Sequence, residues 1–261
     1  MKMQAFIFNW PGKKQHAAKL EAMLSPLCET IVINSDDNLR ASHAHWQHVG
    51  NDAYFTTQWN AALDRFDGDV FVHIQADVWP VKVRPMLREA ENYLNNFGVG
   101  VYAPNVDFNA HYYRKEDLPR LGEGVFEVPA TDCCFWAIKA EIVRDAPRVD
   151  PRINKLGWGI EYMVGAVARA KGLKMARDYR FTAGHQKGSG YNLTQAFEEW
   201  QALRNRLDSE LRMGMEWVEK ERERLLVRRK PRNILDRYVN AIKDRARRGA
   251  TILQNRAMAA R

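Results

Sequence analysis

The stretch DVFVHIQADVWPV, residues 69–81, decides how this chain is read. Val70 to Gln75 is the apolar, β-branched run of a strand buried on both faces. An acid, Asp77, follows at once, and Pro80 then stops the strand. A rigid strand of this kind holds its terminal carboxylate at the edge of a sheet, and the proline stiffens the loop that leaves it.

Working outward, strand-like and helix-like segments alternate over the first 185 residues. MQAFIFNW is an apolar run closed by Pro11-Gly12, and KKQHAAKLEAMLSPLC carries Ala17, Leu20, Met23 and Leu24 at helical spacing before Pro26. ETIVINSDD is a short strand ending in acids. AYFTTQWNAALDRFDGD reads as a helix with Trp59, Ala62, Leu63 and Phe66 on one face. RPMLREAENYLNNFG is a helix with Pro85 near its first turn and Gly98 as its stop. VGVYAPNV is a strand, and FEVPATDCCFWAIKAEIV runs from loop through strand to helix. GWGIEYMVGAVARAKG is a helix stopped by Gly172, and LKMARDYRFTAGH is strand-like. Such alternation predicts an α/β fold, a single Rossmann-type domain with a mostly parallel central sheet. Ligands of such sheets sit beyond the carboxyl ends of the strands, where this chain carries Asp36 and Asp37, Asp77, and His185.

Charge divides the chain. Residues 1–200 carry 23 basic and 24 acidic side chains, whereas residues 201–261 carry 17 and 8. The near-neutral body, 1–200, is therefore expected to be one domain and 201–261 an Arg-rich helical extension, with helices on either side of Pro231. In the last of these, Leu235, Val239, Ile242 and Ala246 form one stripe opposite Arg and Lys. That segment suits a solvated face, an anionic membrane surface or a polyanionic acceptor such as DNA. Cys28, Cys133 and Cys134 make no disulfide framework, and the N-terminus lacks the apolar core of a signal peptide. A cytoplasmic location, possible at the membrane periphery, is the expectation. His43, His45 and His48 lack the i, i+4 pairing of a helical metal site.

A strand-end carboxylate is what a metal-assisted phosphate site needs, because Mg²⁺ or Mn²⁺ takes one or two carboxylates plus substrate phosphate oxygens. In order and spacing, VINSDD, WNAALDRFDGDVFVHIQADVWP, TDCCFWAIKAEI, GWGIEY and the final histidine resemble the nucleotide-sugar glycosyltransferases of the GT-A fold over roughly residues 3–190. The resemblance implies a nucleotide-sugar donor and a metal held at a DxD motif, whose last acid is Asp77 and whose first is replaced by Gln75. It implies that His185 completes the metal shell and that Asp36, Asp37 and Asn60 lie near the nucleotide. Lys187 would close over the diphosphate. GWGIEYM is similar to the GWG-x-E-D stretch of inverting members such as the β-1,4-galactosyltransferases, with Tyr162 in place of the aspartate. Glu161 then becomes the general base, with Asp132 in reserve. The expected activity is metal-dependent transfer of a sugar to a hydroxyl of a glycan, a lipid-linked glycan or a modified DNA base. The departures at Gln75 and Tyr162 leave open an inactive binding module, and the basic tail leaves open a nucleic-acid-binding protein on an α/β scaffold.

Overall fold

The computed structural model describes residues 1–80, 82–107, 110–185 and 192–226. Lys187 and the Leu235, Val239, Ile242 and Ala246 stripe lie outside the described residues. In chain order the elements are β1 (Met3–Asn9), α1 (Lys14–Leu24), β2 (Glu29–Asn34), β3 (Gln47–His48), α2 (Phe55–Arg65), β4 (Val70–Gln75), β5 (Val78–Pro80), α3 (Val83–Asn96) and β6 (Val99–Val106). Then come β7 (Arg120–Gly122), β8 (Val125–Glu127), β9 (Phe135–Lys139), α4 (Ala140–Asp145), α5 (Ile160–Ala170), β10 (Lys174–His185), α6 (Leu193–Arg206) and α7 (Ser209–Leu225).

They form one sheet in the order β3-β2-β1-β4-β9-β6-β10-β8-β7, with β5 added alongside β10. The run β3-β2-β1-β4 is parallel, as is the pair β6 and β10. β9 runs antiparallel to both β4 and β6 and joins the two parallel parts. The expected α/β fold with a mostly parallel core is therefore present, and the short additions β5, β7 and β8 are antiparallel.

Why β4 is apolar throughout follows from its place in the middle. Strand side chains alternate between faces. Val70, Val72 and Ile74 pack in one core with Ala17, Leu20 and Leu24 of α1 and Met86, Leu87 and Leu94 of α3. Phe71 and His73 point the other way, to Trp59 of α2 at ring distances of 5.2 and 6.4 Å. His73 is fully buried between Phe8, Phe55, Trp59 and Trp136, and neither ring nitrogen has a hydrogen-bond partner.

The division expected between residues 200 and 201 falls inside α6. The compact unit runs from Met1 to Leu225. Burial is the reason: Trp200, Leu203, Met215 and Val218 are all buried, so α6 and α7 belong to the body. Among the described residues, no helix is long and apolar enough to cross a membrane.

Burial pushes the His73 pKa down to about 3, against a weaker opposing pull from the Cys133 backbone. The unfolded chain binds this proton near pH 6.5 and the folded chain does not. Stability should therefore fall as pH drops from about 6.5 toward 3, by up to about 1.4 kcal/mol per pH unit from this group. In His73→Leu that contribution disappears. Urea unfolding at pH 7 and pH 5 should show a smaller loss for His73→Leu than for the unsubstituted chain.

Candidate functional site

The carboxyl edge of the sheet is where the acids gather. β4 ends with Gln75 N donating to the Cys134 carbonyl (3.0 Å) and Ala76 N donating to Phe8 O (2.9 Å). The chain then turns and pairs again as β5, antiparallel to the end of β10. In that register Val78 faces His185, Trp79 faces Gly184 and Pro80 faces Ala183. Asp77, one residue before Val78, is thereby set beside the last residue of a strand more than a hundred positions away. His185 Nε2 lies 3.6 Å from Asp77 Oδ2. Asp77 Oδ1 is buried and has no hydrogen-bond partner. The His185 amide donates to Asp107 Oδ1 at 2.9 Å, which holds the strand end in place.

β10 reaches this point through an irregularity. Asp178 pairs with Pro104 of β6 but Thr182 pairs with Asn105, so the intervening residues bulge out of the ladder. Asp178, fully buried, accepts from Tyr102 OH (2.6 Å) and from Arg180 Nε (3.0 Å) and Nη2 (2.6 Å). Arg180 also donates to Glu89 of α3 at 2.7 Å. A fork-shaped, charge-assisted pairing of this kind holds a fixed geometry, and it pins the bulge.

Glu161 enters from the start of α5. Gly157 and Gly159 both have positive φ, 80° and 90°, a region open chiefly to glycine. A Cβ on Gly159 would lie 2.2 Å from the Trp200 ring. The GWG turn is thus a backbone requirement that seats Glu161 in the first helical turn. There its Oε2 accepts from Gly159 N at 3.1 Å. Burial, reinforced by the neighbouring Asp132 carboxylate, raises the Glu161 pKa to about 7. Asp132, at the entry to β9, is also pushed up by burial, against the pull of Arg177. Its Oδ1 accepts from Ala110 N (3.4 Å) and its Oδ2 is buried without a partner. The Cys134 thiol is raised well above its ordinary range, first by burial and then by Asp132, Asp77 and Glu161 among its neighbours. Three carboxylates, from the turn after β4, the segment before β9 and the first turn of α5, thus act on the Cys134 thiol.

The other expected residues are placed differently. Gln75 Nε2 donates to the Cys133 carbonyl at 3.5 Å, so it braces the strand junction. Asp36 is buried and caps the turn at 37–39 by accepting from Asn38 N (3.1 Å). Asp37 is exposed, pairs with Arg40 (3.0 Å) and exchanges hydrogen bonds with Asn51. The Arg40 guanidinium holds the Asp37 carboxyl below its ordinary range. Asn60 is engaged elsewhere: its Nδ2 donates to Val149 O at 2.7 Å, tying α2 to the segment after α4. His45 pairs with Glu21 (3.3 Å), and His48 Nδ1 lies 2.9 Å from Asn34 Nδ2. Among the described residues, no group of three or more His, Cys, Asp or Glu side chains is arranged to hold a metal.

Several participants carry no motif. Asn9 Nδ2 donates to Asn34 Oδ1 (2.6 Å), Asn34 Nδ2 donates to Asp36 O (2.8 Å), and Gln58 Nε2 donates to Asn9 O (2.7 Å). This buried polar net closes the ends of β1 and β2. Its signal was present, since FIFN and IVIN are both apolar runs ended by asparagine. His111, Arg177 and Arg222 left no comparable trace.

No protein-family model matches the chain, and no curated protein does. Among solved structures, it is similar to TarS of S. aureus in complex with UDP (TM-score 0.54, 10% identity, covering 84% of this chain and 69% of that one). It is similar to GalNAc-T7 crystallised with UDP, GalNAc and Mn²⁺ (TM-score 0.52, 11% identity, 72% of this chain), of whose length it spans 44%. It is also similar to the mannosyltransferase PcManGT of Pyrobaculum calidifontis in complex with GDP-Man and Mn²⁺ (TM-score 0.51, 13% identity, 94% of this chain and 80% of that one). These are GT-A structures, and the chain has the GT-A fold.

Gly159→Ala combines a strained φ with a collision against Trp200. We expect it to lower stability by about 2 kcal/mol or more. The check is a thermal unfolding midpoint, compared with that of Gly172→Ala, whose Cβ would meet nothing within 4 Å.

Proposed function

We propose that this protein is a metal-dependent glycosyltransferase that moves a sugar from a nucleotide-sugar donor to an acceptor hydroxyl. The observation that carries this reading is the meeting of Asp77 with His185, 3.6 Å apart, at the carboxyl edge of a GT-A sheet. Asp77 offers a buried oxygen without a protein partner. The pair fits Mn²⁺ or Mg²⁺, which completes its shell with phosphate oxygens, and the imidazole favours Mn²⁺. When bound, such an ion supplies positive charge against the departing diphosphate. The solved structures similar to this chain include complexes with UDP and with GDP-Man, which supports a nucleotide-sugar donor. The nucleoside would lie toward Asp36 and Asp37 at the end of β2.

Glu161 is the general base in this reading. Its carboxylate takes the proton of the acceptor hydroxyl as that oxygen attacks the anomeric carbon. The bond from the sugar to the diphosphate breaks, and the nucleoside diphosphate leaves with the bonding electrons. A carboxyl tuned to about 7 suits proton transfer near neutral pH. Asp132 keeps negative charge beside it and so raises its basicity. Gln75, replacing an acid, braces the Cys133 backbone and adds no charge to the metal site.

Asp77→Ala should abolish Mn²⁺-dependent binding of nucleoside diphosphate, because Gln75 carries no charge to replace the lost carboxylate. Calorimetric titration with UDP and GDP, with and without Mn²⁺, tests this, and undiminished metal-dependent affinity would remove Asp77 from the site.

Glu161→Gln should keep donor binding and lose transfer by about 10²–10⁴-fold. With the carboxyl at about 7, transfer should rise with pH through an acid limb centred near that value, since only the ionised form accepts a proton. Rates measured with glycan, lipid-linked and hydroxylated-DNA acceptors between pH 5.5 and 8.5 give both the limb and the acceptor class.

A further inference from the structure

Asp132 is held by a chain of contacts that ends on α7, a helix the charge pattern assigned to an extension. α7 lies close against α5. A Cβ on Gly214 would sit 2.9 Å from the Ala166 Cβ, and Met215 and Val218 are buried at the contact. This close approach carries Arg222, in the last turn of α7, to the loop before β7. Its Nη2 donates to Ala110 O at 3.0 Å, and its Nε donates to His111 Nδ1 at 2.9 Å.

His111 is 2% exposed. Burial, then the Arg222 and Arg177 cations, hold its pKa well below the ordinary value, so the ring is neutral. A neutral imidazole that accepts at one nitrogen carries its proton on the other. With Nδ1 accepting from Arg222, the proton belongs on Nε2, and Nε2 lies 3.8 Å from Asp132 Oδ1. Arg177 steadies the other side: Nη1 donates to His111 O, and Nη2 donates to Thr131 Oγ1 at 3.2 Å, one residue before Asp132. A guanidinium that faces a ring nitrogen fixes the tautomer, and the tautomer fixes which group the far nitrogen addresses.

We infer that Arg222 and His111 are positioning residues: α7 selects the Nε2–H tautomer of His111 and so turns an N–H dipole toward the Asp132 carboxylate, 3.8 Å away, beside Glu161. The inference rests on the proposed function only for the meaning of Asp132 and Glu161. The tautomer itself exists or fails independently of transfer. Arg222 touches neither donor nor acceptor in this account. It reaches the chemistry through the way Asp132 is held and, as a nearby cation, by pulling the Glu161 and Asp132 carboxyls down.

The test uses the full chain labelled with ¹⁵N-histidine. Long-range proton–nitrogen correlation spectra at pH 7 should show one histidine that is neutral with its proton on Nε2. That signal should vanish in His111→Gln, which assigns it, and should change tautomer or broaden in Arg222→Met. A proton on Nδ1, or a charged His111, overturns the inference whatever the activity. In transfer assays, Arg222→Met and His111→Leu should lose about 10–100-fold in kcat with the donor KM unchanged, the scale of a misplaced group. His111→Gln offers both an acceptor and a donor and should retain most of the rate. Equal kcat for His111→Leu and His111→Gln, at matched unfolding midpoints, overturns it. If the unsubstituted chain transfers no sugar but the Nε2–H signal is present and lost in Arg222→Met, the positioning pair stands and the glycosyltransferase reading falls.

Discussion

The antiparallel pairing of β5 with the end of β10 is the constraint on which the site depends. β4 could end at Gln75 and leave Asp77 in a solvent-exposed loop. Instead the chain adds a three-residue strand to a distant one, and its register sets Asp77 beside His185. Pro80 is compatible with that register because β5 is a short addition at the margin, where a missing N–H removes little. The bulge between Asp178 and Thr182 serves the same pairing, since without it β10 would present other residues at its end. Its anchor, the buried Asp178 held by Arg180 and Tyr102, is an ion pair kept for geometry.

Desolvation does the chemical tuning. Asp132 and Glu161 arrive from different segments near the Cys133-Cys134 backbone, where the Asp132 charge raises the proton affinity of Glu161. Burial is the largest influence on Glu161 and on Asp132, and at Glu161 the Asp132 carboxylate adds to it. Arg177 and Arg222 oppose the effect at Asp132, which keeps that carboxyl from being driven further up. Glu161 is therefore a buried carboxyl that titrates near neutrality.

The C-terminal helices alter how the chain divides. Charge alone separates 1–200 from 201–261, but α6 and α7 are bound to the body by Trp200, Leu203, Met215 and Val218. Arg222 belongs by charge to the basic segment and by contact to His111 and Ala110 of the body. Net charge is a property of a stretch of chain, whereas burial is a property of particular faces, so the two divisions need not coincide.

By itself the sequence determined the alternation of elements, because 3.6- and 2-residue periodicities are local. It also showed the strand-end acid of QADVWP and the GWG turn, which are written in contiguous residues. It named Asp36, Asp37 and Asn60 without their local partners, which only tertiary structure supplied: Asp36 caps a turn, Asp37 pairs with Arg40, and Asn60 holds Val149. It left no sign of His111, Arg177 or Arg222, since their partners are 46 to 112 residues away and their spacing repeats nothing. A side chain's role in a site is set by what lies within about 4 Å of it. That distance is decided by strand register and helix packing, which no short stretch of sequence encodes alone.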